Sequence, residues 1–230
     1  MKPDYGLDFP ARVRDLAIRA CLFLAAGAGL WISNGANPVA WISLVTGLGF
    51  GVMVLVYFNS SRAGKLQMRD RLLDSIAWKG DEKVLDVGCG RGLLLIGAAK
   101  RLQTGRATGV DIWRKEELSD NSPEAVRDLA TAEGVLPKIK IETADAQKLA
   151  FPDASFDVVV SSSVVHLVPD RTRALSEMVR VLKPGGQLRI FDLSDCSHDL
   201  QDLSLTGITV SPPSWLWCHP SRTVSAIKKV

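Results

Sequence analysis

Residues 84–92 read VLDVGCGRG, and this stretch decides the fold of the chain. The apolar residues on either side of Asp86 are typical of a buried strand, and Gly88, Gly90 and Gly92 form a loop directly after it. Glycine suits such a loop because the backbone turns sharply and a ligand can approach it without meeting a Cβ. We therefore expect a strand that ends in a ligand-binding turn and leads into a helix.

Strand-like and helix-like segments alternate along the rest of the chain. The patterns predict strands at residues 83–87, 107–111, 138–142, 156–161, 187–193 and 223–228. They predict helices at residues 92–102, 123–133 and 171–182. This alternation favours an α/β fold with a doubly wound, mostly parallel, Rossmann-like sheet. Ligands of such sheets bind beyond the carboxyl ends of the strands, which is where the glycine loop falls.

The glycine loop alone is weak evidence, since nicotinamide-binding folds also place one after their first strand. That fingerprint has Gly or Ala where this chain has Leu93, and Asp86 suits a positive amino group better than a pyrophosphate. The stretch resembles motif I of the class I S-adenosylmethionine (SAM)-dependent methyltransferases, of the type 11/25-like domain. Four further segments repeat the resemblance in the expected order, at residues 109–111, 144–146, 149–159 and 182–186. The resemblance implies a seven-stranded methyltransferase sheet with SAM as the cofactor.

The resemblance also implies a role for each matching residue. The glycines lie under the methionine portion of SAM, Asp86 lies near its amino group, and Asp111 holds the ribose. Asp145 and Ala146 contact the adenine. The full set of expected cofactor-binding residues is Asp86, Gly88, Cys89, Gly90, Gly92, Asp111, Ile112, Asp145, Ala146, Ser161 and Ser162. A purely structural role for Asp86 and Gly92 stays open, and Cys89 is not expected to be a reactive thiol.

Methyl transfer is an in-line displacement, so the enzyme aligns the reactants and removes a proton where the acceptor requires it. His166, just beyond the fourth predicted strand, is the candidate base because imidazole titrates near neutral pH. A packing or cofactor-shaping role for His166 is the alternative. The loop at 112–122 either forms a lid or is a solvated insertion. The aromatic segment at 212–220 either packs on the sheet edge or lines an acceptor pocket.

An uncharged block precedes the α/β pattern and explains the positive mean hydropathy of +0.12. Residues 20–61 contain no Asp, Glu, Lys, Arg or His. The turn-forming residues 33–38 divide the block into two predicted helices, at about 17–34 and 39–58. A helix of the second length spans the roughly 30 Å hydrocarbon core of a bilayer. The sequence therefore predicts a transmembrane hairpin, and the membrane becomes a partner of the protein.

The basic excess behind the net charge of +3 lies in the N-terminal third of the chain. Basic residues flank the uncharged block on both sides, namely Arg12, Arg14 and Arg19 before it and Arg62, Lys65, Arg69 and Arg71 after it. The positive-inside rule places both termini and the catalytic domain in the cytoplasm. A nucleic-acid enzyme would carry its basic surplus on the catalytic domain, so no nucleic-acid partner is expected.

These patterns divide the chain into a membrane hairpin at 1–63, an amphipathic linker helix at 64–82 and a methyltransferase domain at 83–230. The four cysteines contain no C-x-x-C pair, and no metal site is expected. The uncharged block is also compatible with a cleavable signal peptide at 1–32 or with a buried core hairpin of a soluble protein.

Small residues in the hairpin, Gly47 with Gly51 and Ala25 with Gly29, have the spacing that lets two helices approach closely. They make a homodimer through the hairpin a candidate assembly. Three functional hypotheses follow for the whole chain. It methylates a lipophilic acceptor such as a quinone precursor, it methylates a soluble small molecule, or it is a non-catalytic SAM-fold module tethered to the membrane.

Overall fold

A computed structural model describes residues 4–216 and 219–230, so Trp217 and Cys218 of the aromatic segment lie outside the described residues. The helices are α1 (Pro10–Asn34), α2 (Pro38–Asn59), α3 (Lys65–Asp74), α4 (Leu93–Arg101), α5 (Pro123–Ala132) and α6 (Arg171–Val181). The strands are β1 (Lys83–Val87), β2 (Arg106–Asp111), β3 (Ile139–Thr143), β4 (Phe156–Ser162), β5 (Leu182–Asp192), β6 (Leu205–Val210), β7 (Ser214–Leu216) and β8 (His219–Lys228). A π-helical turn, Ser60–Gly64, joins α2 to α3.

Within the described residues the sheet has eight strands, in the order β3-β2-β1-β4-β5-β8-β6, with β7 paired to β8. Strands β1 to β5 are parallel, whereas β6, β7 and β8 pair in the antiparallel sense. The expectation of a mostly parallel, seven-stranded sheet is therefore corrected to a mixed sheet. Sequence patterns missed β6 and β7 because β6 is largely exposed and β7 has three residues, so neither shows the alternation of a half-buried strand.

Two hydrophobic clusters lie on the two faces of this sheet. Successive residues of β1 alternate between them, since Val84 belongs to the cluster under α4 and Leu85 to the cluster under α6. Such alternation follows from the period of two in a strand, and it buries both faces of the parallel region. The chain order reverses between β1 and β4, so the carboxyl end of β1 lies at the switch point where such sheets bind ligands.

Helices α1 and α2 pack side by side as a hairpin. A Cβ on Gly27 would lie 2.8 Å from Leu44 Cγ, and one on Gly47 would lie 2.7 Å from Leu24 Cγ, so these two glycines permit the close approach. The other two glycines of the predicted small-residue pairs, Gly29 and Gly51, have nothing within 4 Å. A homodimer through the open glycine face stays a prediction.

Helix α1 begins at Pro10 rather than near residue 17, and both hairpin helices are long and apolar enough to cross a membrane. A signal sequence and a buried core helix satisfy the same test of length and composition. Only 11% of each apolar window is buried, whereas a core helix would be mostly buried. The amphipathic helix predicted at 64–82 ends at Asp74, where Trp78 Nε1 donates a hydrogen bond to the carbonyl of Leu73.

Candidate active site

A cavity of about 360 Å³ lies beyond the carboxyl ends of the parallel strands. The predicted site residues that line it are Asp86, Gly88, Cys89, Gly90, Asp111, Ile112, Asp145, Ala146, Ser162 and His166. The structure does not bring Gly92 or Ser161 to this cavity. Ser161 is fully buried and its Oγ donates to the carbonyl of Val87 at 2.8 Å, which joins β4 to β1. Gly92 precedes α4 with a φ of +82°, so its role is to turn the chain into the helix.

Gly88 is the tightest point of the loop. Its φ is +72°, and a Cβ there would lie 2.1 Å from Val164 Cγ2, a separation that no side chain tolerates. The amide groups of Gly88 and Cys89 both donate to the carbonyl of Val110, at 2.8 and 3.0 Å. The loop is therefore fixed against β2, and its backbone is open to a ligand on the cavity side.

Asp86 is 1% exposed, and its Oδ2 atom has no hydrogen-bond partner among the described residues. Burial, reinforced by the charge of Asp111, raises the pKa of the Asp86 carboxyl to about 8. A buried carboxylate is stable only when a cation or several donors face it. The site therefore fits a ligand that carries a positive amino group, as SAM does.

Asp111 ends β2 with both carboxylate oxygens held. Its Oδ2 accepts the amide of Gly90 at 2.8 Å, and its Oδ1 accepts the amide of Trp113 at 2.6 Å and Asn121 Nδ2 at 3.3 Å. A carboxylate has about four lone-pair sites, so this one retains acceptor capacity for hydroxyl groups. Asn121, which holds the carboxylate, was not predicted, because the polar loop sequence around it carries no signal for that role.

Asp145 and Cys89 have contrasting environments in the same cavity. Hydrogen bonds from Gln147, whose amide donates to Oδ1 at 2.9 Å, lower the pKa of the largely exposed Asp145 carboxyl. Burial raises the pKa of the Cys89 thiol, and the charges of Asp86 and Asp111 raise it further. Cys89 therefore stays a neutral thiol, and Asp145 stays ionised.

His166 lines the cavity and forms a pair with Asp192, the last residue of β5. Its Nδ1 lies 2.9 Å from Asp192 Oδ1, and Asp192 is 1% exposed. Burial alone raises the pKa of Asp192, but His166 and the donors of Ser194 outweigh it and leave the pKa lowered. Asp192 was not predicted from the sequence, although an acidic residue at the carboxyl end of a parallel strand is a usable signal.

The remaining wall of the cavity comes from outside the predicted catalytic domain. Tyr5, Asp8 and Phe9 line it, together with Lys65 at the start of α3. The loop at 112–122 also contributes lining residues, which favours the lid interpretation over a solvated insertion. Trp215 of the aromatic segment is 70% exposed and does not line the cavity, so its predicted role in an acceptor pocket is not supported.

Comparisons with known proteins agree with this geometry. Residues 85–190 match the family described as "Methyltransferase domain". The chain is 35% identical over 129 residues to the 27-O-demethylrifamycin SV methyltransferase of Amycolatopsis mediterranei, covering 55% of this chain and 44% of that protein. It is 36% identical over 118 residues to a ubiquinone/menaquinone biosynthesis C-methyltransferase of Hydrogenovibrio crunogenus, covering 51% and 44%. The chain thus spans about half the length of the curated relatives it matches.

Solved structures share the fold at low sequence identity. The cyclase SpnF superposes with a TM-score of 0.61 and 17% identity, covering 72% of this chain and 82% of that chain. Geranyl diphosphate C-methyltransferase from Streptomyces coelicolor, solved with S-adenosylhomocysteine (SAH), has a TM-score of 0.57 and 16% identity, covering 71% and 79%. These likenesses establish the fold alone. The chain therefore has the fold of solved methyltransferases, and its residues 85–190 match the methyltransferase-domain family.

Proposed function

We propose that the protein is a SAM-dependent methyltransferase that modifies a small, lipophilic acceptor while a two-helix hairpin anchors it in a membrane. One observation carries the methyltransferase part most directly. The buried Asp86 carboxyl lines the cavity and has an oxygen without a partner among the described residues, two positions before a glycine where a Cβ would clash with Val164. The amino group of SAM is the cationic partner that such a carboxylate requires.

Bound SAM supplies a methyl group on a sulfonium, which leaves as a neutral thioether. In this proposal Asp86 binds the amino group, Asp111 binds the ribose hydroxyls, and Asp145 with Ala146 binds the adenine. The donors that already hold Asp111 from Gly90, Trp113 and Asn121 keep its carboxylate in one orientation. Fixed groups of this kind contribute to catalysis by aligning the reactants before the methyl transfer.

His166 is the proton acceptor in this proposal. Assigning the Nδ1 proton to the hydrogen bond with Asp192 leaves Nε2 as the basic nitrogen. The charge of Asp192 then stabilises the imidazolium that forms when Nε2 takes a proton from the acceptor. Asp192 acts through His166 and is therefore a positioning residue, whereas His166 meets the acceptor itself.

A lipophilic acceptor is favoured by the names of the relatives and by the cavity wall. One relative is a C-methyltransferase of quinone biosynthesis, and one structural neighbour was solved with geranyl diphosphate. Phe9, Leu118 and Val168 line the cavity and offer an apolar surface to such a molecule. A quinone precursor or a lipid-like molecule is the class of acceptor that these observations support.

Membrane anchoring is supported by the surface of the hairpin. Large apolar side chains such as Ile32, Ile42 and Leu55 are 85%, 67% and 68% exposed, and soluble proteins rarely present so extended an apolar surface to water. In this proposal the methyltransferase domain and both termini lie in the cytoplasm, and the basic residues that flank the hairpin support that orientation. In the same proposal both helices span the membrane, with the turn at 35–37 outside.

The acceptor is tested with the full chain in native membranes and SAM labelled in its methyl group. We expect label in the organic extract, and we expect none with His166→Asn or Asp111→Ala. Label that appears only in the aqueous fraction would favour a soluble acceptor. Absence of transfer to either fraction, together with absence of SAM binding, would leave a non-catalytic module as the better account.

Topology is tested separately by cysteine labelling in intact cells, in a chain whose exposed Cys21 is replaced by serine. A membrane-impermeant maleimide should label Asn34→Cys in intact cells. The matched control Lys79→Cys, at an exposed position of the catalytic region, should react only after the membrane is permeabilised. Equal labelling of both positions in intact cells would contradict the proposed orientation.

A further inference from the structure

Residues 4–9 have no regular helix or strand apart from a single bridge between Asp8 and Leu118. This segment nevertheless lines the cavity through Tyr5, Asp8 and Phe9, and Tyr5 is 3% exposed. A segment without regular secondary structure is usually mobile unless specific contacts hold it. The contacts that hold residues 4–9 therefore decide whether this part of the cavity wall is formed.

The principal contact is Lys65, which is 3% exposed. Its Nζ donates to the carbonyl oxygens of Tyr5 at 2.9 Å and Gly6 at 2.5 Å, and it lies 3.3 Å from Asp8 Oδ2. Burial lowers the pKa of the Lys65 ammonium, and the charge of Asp8 opposes that effect. An ammonium group has three protons, so these contacts use the full donor capacity of Lys65. Lys65 thus holds the segment rather than a ligand.

The same segment is tied to both ends of the hairpin. The amide of Asp8 donates to Ser61 Oγ at 3.1 Å, just after α2, and the Phe9 ring meets Tyr57 edge-to-face at a centroid distance of 6.5 Å. Phe9 directly precedes α1, which begins at Pro10. The residues before the first hairpin helix and after the second are therefore fastened together at the cavity wall.

On its other side the segment is tied to the loop after β2. The amide of Leu7 donates to Ser119 Oγ at 2.8 Å, the amide of Ser119 donates to the carbonyl of Leu7 at 3.2 Å, and the amide of Phe9 donates to the carbonyl of Glu117 at 3.0 Å. That loop also carries Asn121, which holds Asp111. Residues 4–9 therefore connect the hairpin to the loop that holds Asp111, the residue expected to bind the ribose of SAM.

We propose that Lys65 is a positioning residue that latches residues 5–9 across the cavity, so that the cofactor site is complete only when the two ends of the hairpin are fastened together. The inference rests on the proposed function, because the cavity is taken as the SAM site. Its consequence is that ligand entry and release require the segment to open, and that Phe9 forms part of the wall facing the acceptor.

The test uses the full chain in lipid nanodiscs with SAH as the probe, read by calorimetry and by amide hydrogen exchange. Lys65→Met should speed the exchange of residues 4–9 at least tenfold and raise the dissociation constant of SAH at least tenfold. Lys65→Arg, which keeps a charged donor, should restore part of both effects. The matched control Lys79→Met makes the same chemical change at an exposed position away from the cavity and should alter neither.

Unchanged exchange of residues 4–9 and unchanged SAH affinity in Lys65→Met would overturn the inference. Exchange in β1 and β4 reports whether the variant keeps its fold. If Lys65→Met unfolds, Ser119→Ala decides, because it removes the Oγ atom that accepts the Leu7 amide without touching Lys65. It should loosen the same segment and weaken SAH binding by a smaller factor. A wild-type chain that binds no SAH would instead refute the proposed function.

Discussion

Two walls of one cavity are built in contrasting ways. The loop at 88–92 is a contiguous piece of sequence whose conformation follows from local steric constraints. The second wall is formed by residues 5–9 and Lys65, and it is held in place by Ser119, more than one hundred positions further along the chain than the segment itself. A motif of the first kind is visible in the sequence, whereas a wall of the second kind exists only after the chain has folded.

The largest expected effect comes from a substitution in the loop at 88–92. Gly88→Ala places a Cβ against Val164 at a positive φ, so we expect no measurable SAH binding and no turnover. Gly134→Ala is the matched control, because Gly134 has a φ of +71° and a Cβ added there would meet nothing within 4 Å. It should cost on the order of 1 kcal/mol of stability and leave binding intact. Equal losses in the two variants would attribute the effect to backbone strain alone.

The next prediction distinguishes cofactor binding from proton transfer. His166→Asn should lower turnover by about a hundredfold or more while SAH affinity changes little, because a general base contributes about 10²–10⁴ to the rate. Asp192→Asn should lower turnover less, since His166 remains. Label transfer from SAM and SAH calorimetry provide the readouts, and a parallel loss of affinity would indicate a packing role for His166.

The same contrast, between local sequence patterns and contacts distant in sequence, explains which parts of the fold could be predicted from the sequence. Strand β1 was predicted at its observed bounds, and helices α4 to α6 within one residue at each end, because their apolar periodicity is strong. The antiparallel part was incompletely predicted. Strand β6 is mostly exposed, and the pairing of β8 between β5 and β6 depends on contacts distant in sequence.

For the site, most residues that a local motif specifies were brought to the cavity, although Gly92 was not, and the residues that tertiary contacts recruit were missed. Ser161 was expected at the cofactor, but its position in the strand directs its hydroxyl to Val87 instead. Lys65 was interpreted as part of a basic flank, because nothing in its neighbourhood indicates burial. Only in the folded structure do the carbonyl oxygens of Tyr5 and Gly6 lie next to its ammonium group.

A smaller effect concerns pH and sharpens the role of Asp86. Its pKa of about 8 in the ligand-free chain means that it carries a proton at neutral pH, and pairing with the amino group of SAH requires it to release that proton. SAH affinity should therefore rise with pH up to about 8 and then level off, by at most tenfold per pH unit. Calorimetry across pH 5 to 9 measures this. Asp86→Asn should bind more weakly and lose the dependence, and an equal slope in both would contradict the assignment.

The smallest expected effect tests whether the second wall needs the hairpin helices or only their ends. Because Asp8 and Ser61 are hydrogen-bonded, a short Gly/Ser linker can replace residues 10–59 and still join residue 9 to residue 60. This variant should fold as a soluble protein and keep SAH affinity within about threefold, since the contact of Phe9 with Tyr57 is lost but the bonds of residues 5–9 to Lys65, Ser61 and Ser119 remain. Deletion of residues 1–61 removes the wall as well and should weaken binding more. Equal affinities in the two variants would contradict a role for residues 5–9.

The central claim is that the cavity binds SAM through the residues at the strand ends. Calorimetric titration of the full chain in nanodiscs with SAM tests it most directly, comparing the wild type with Asp111→Ala and with Asp157→Ala. Asp157 lies at the opposite end of β4, bonded to Lys83 and Lys183, and serves as the matched control. We predict one SAM site per chain, weakened at least about tenfold by Asp111→Ala through the loss of a hydrogen bond to a charged group, and unchanged in the control. Absence of binding, or binding that survives Asp111→Ala unaltered, would contradict the account.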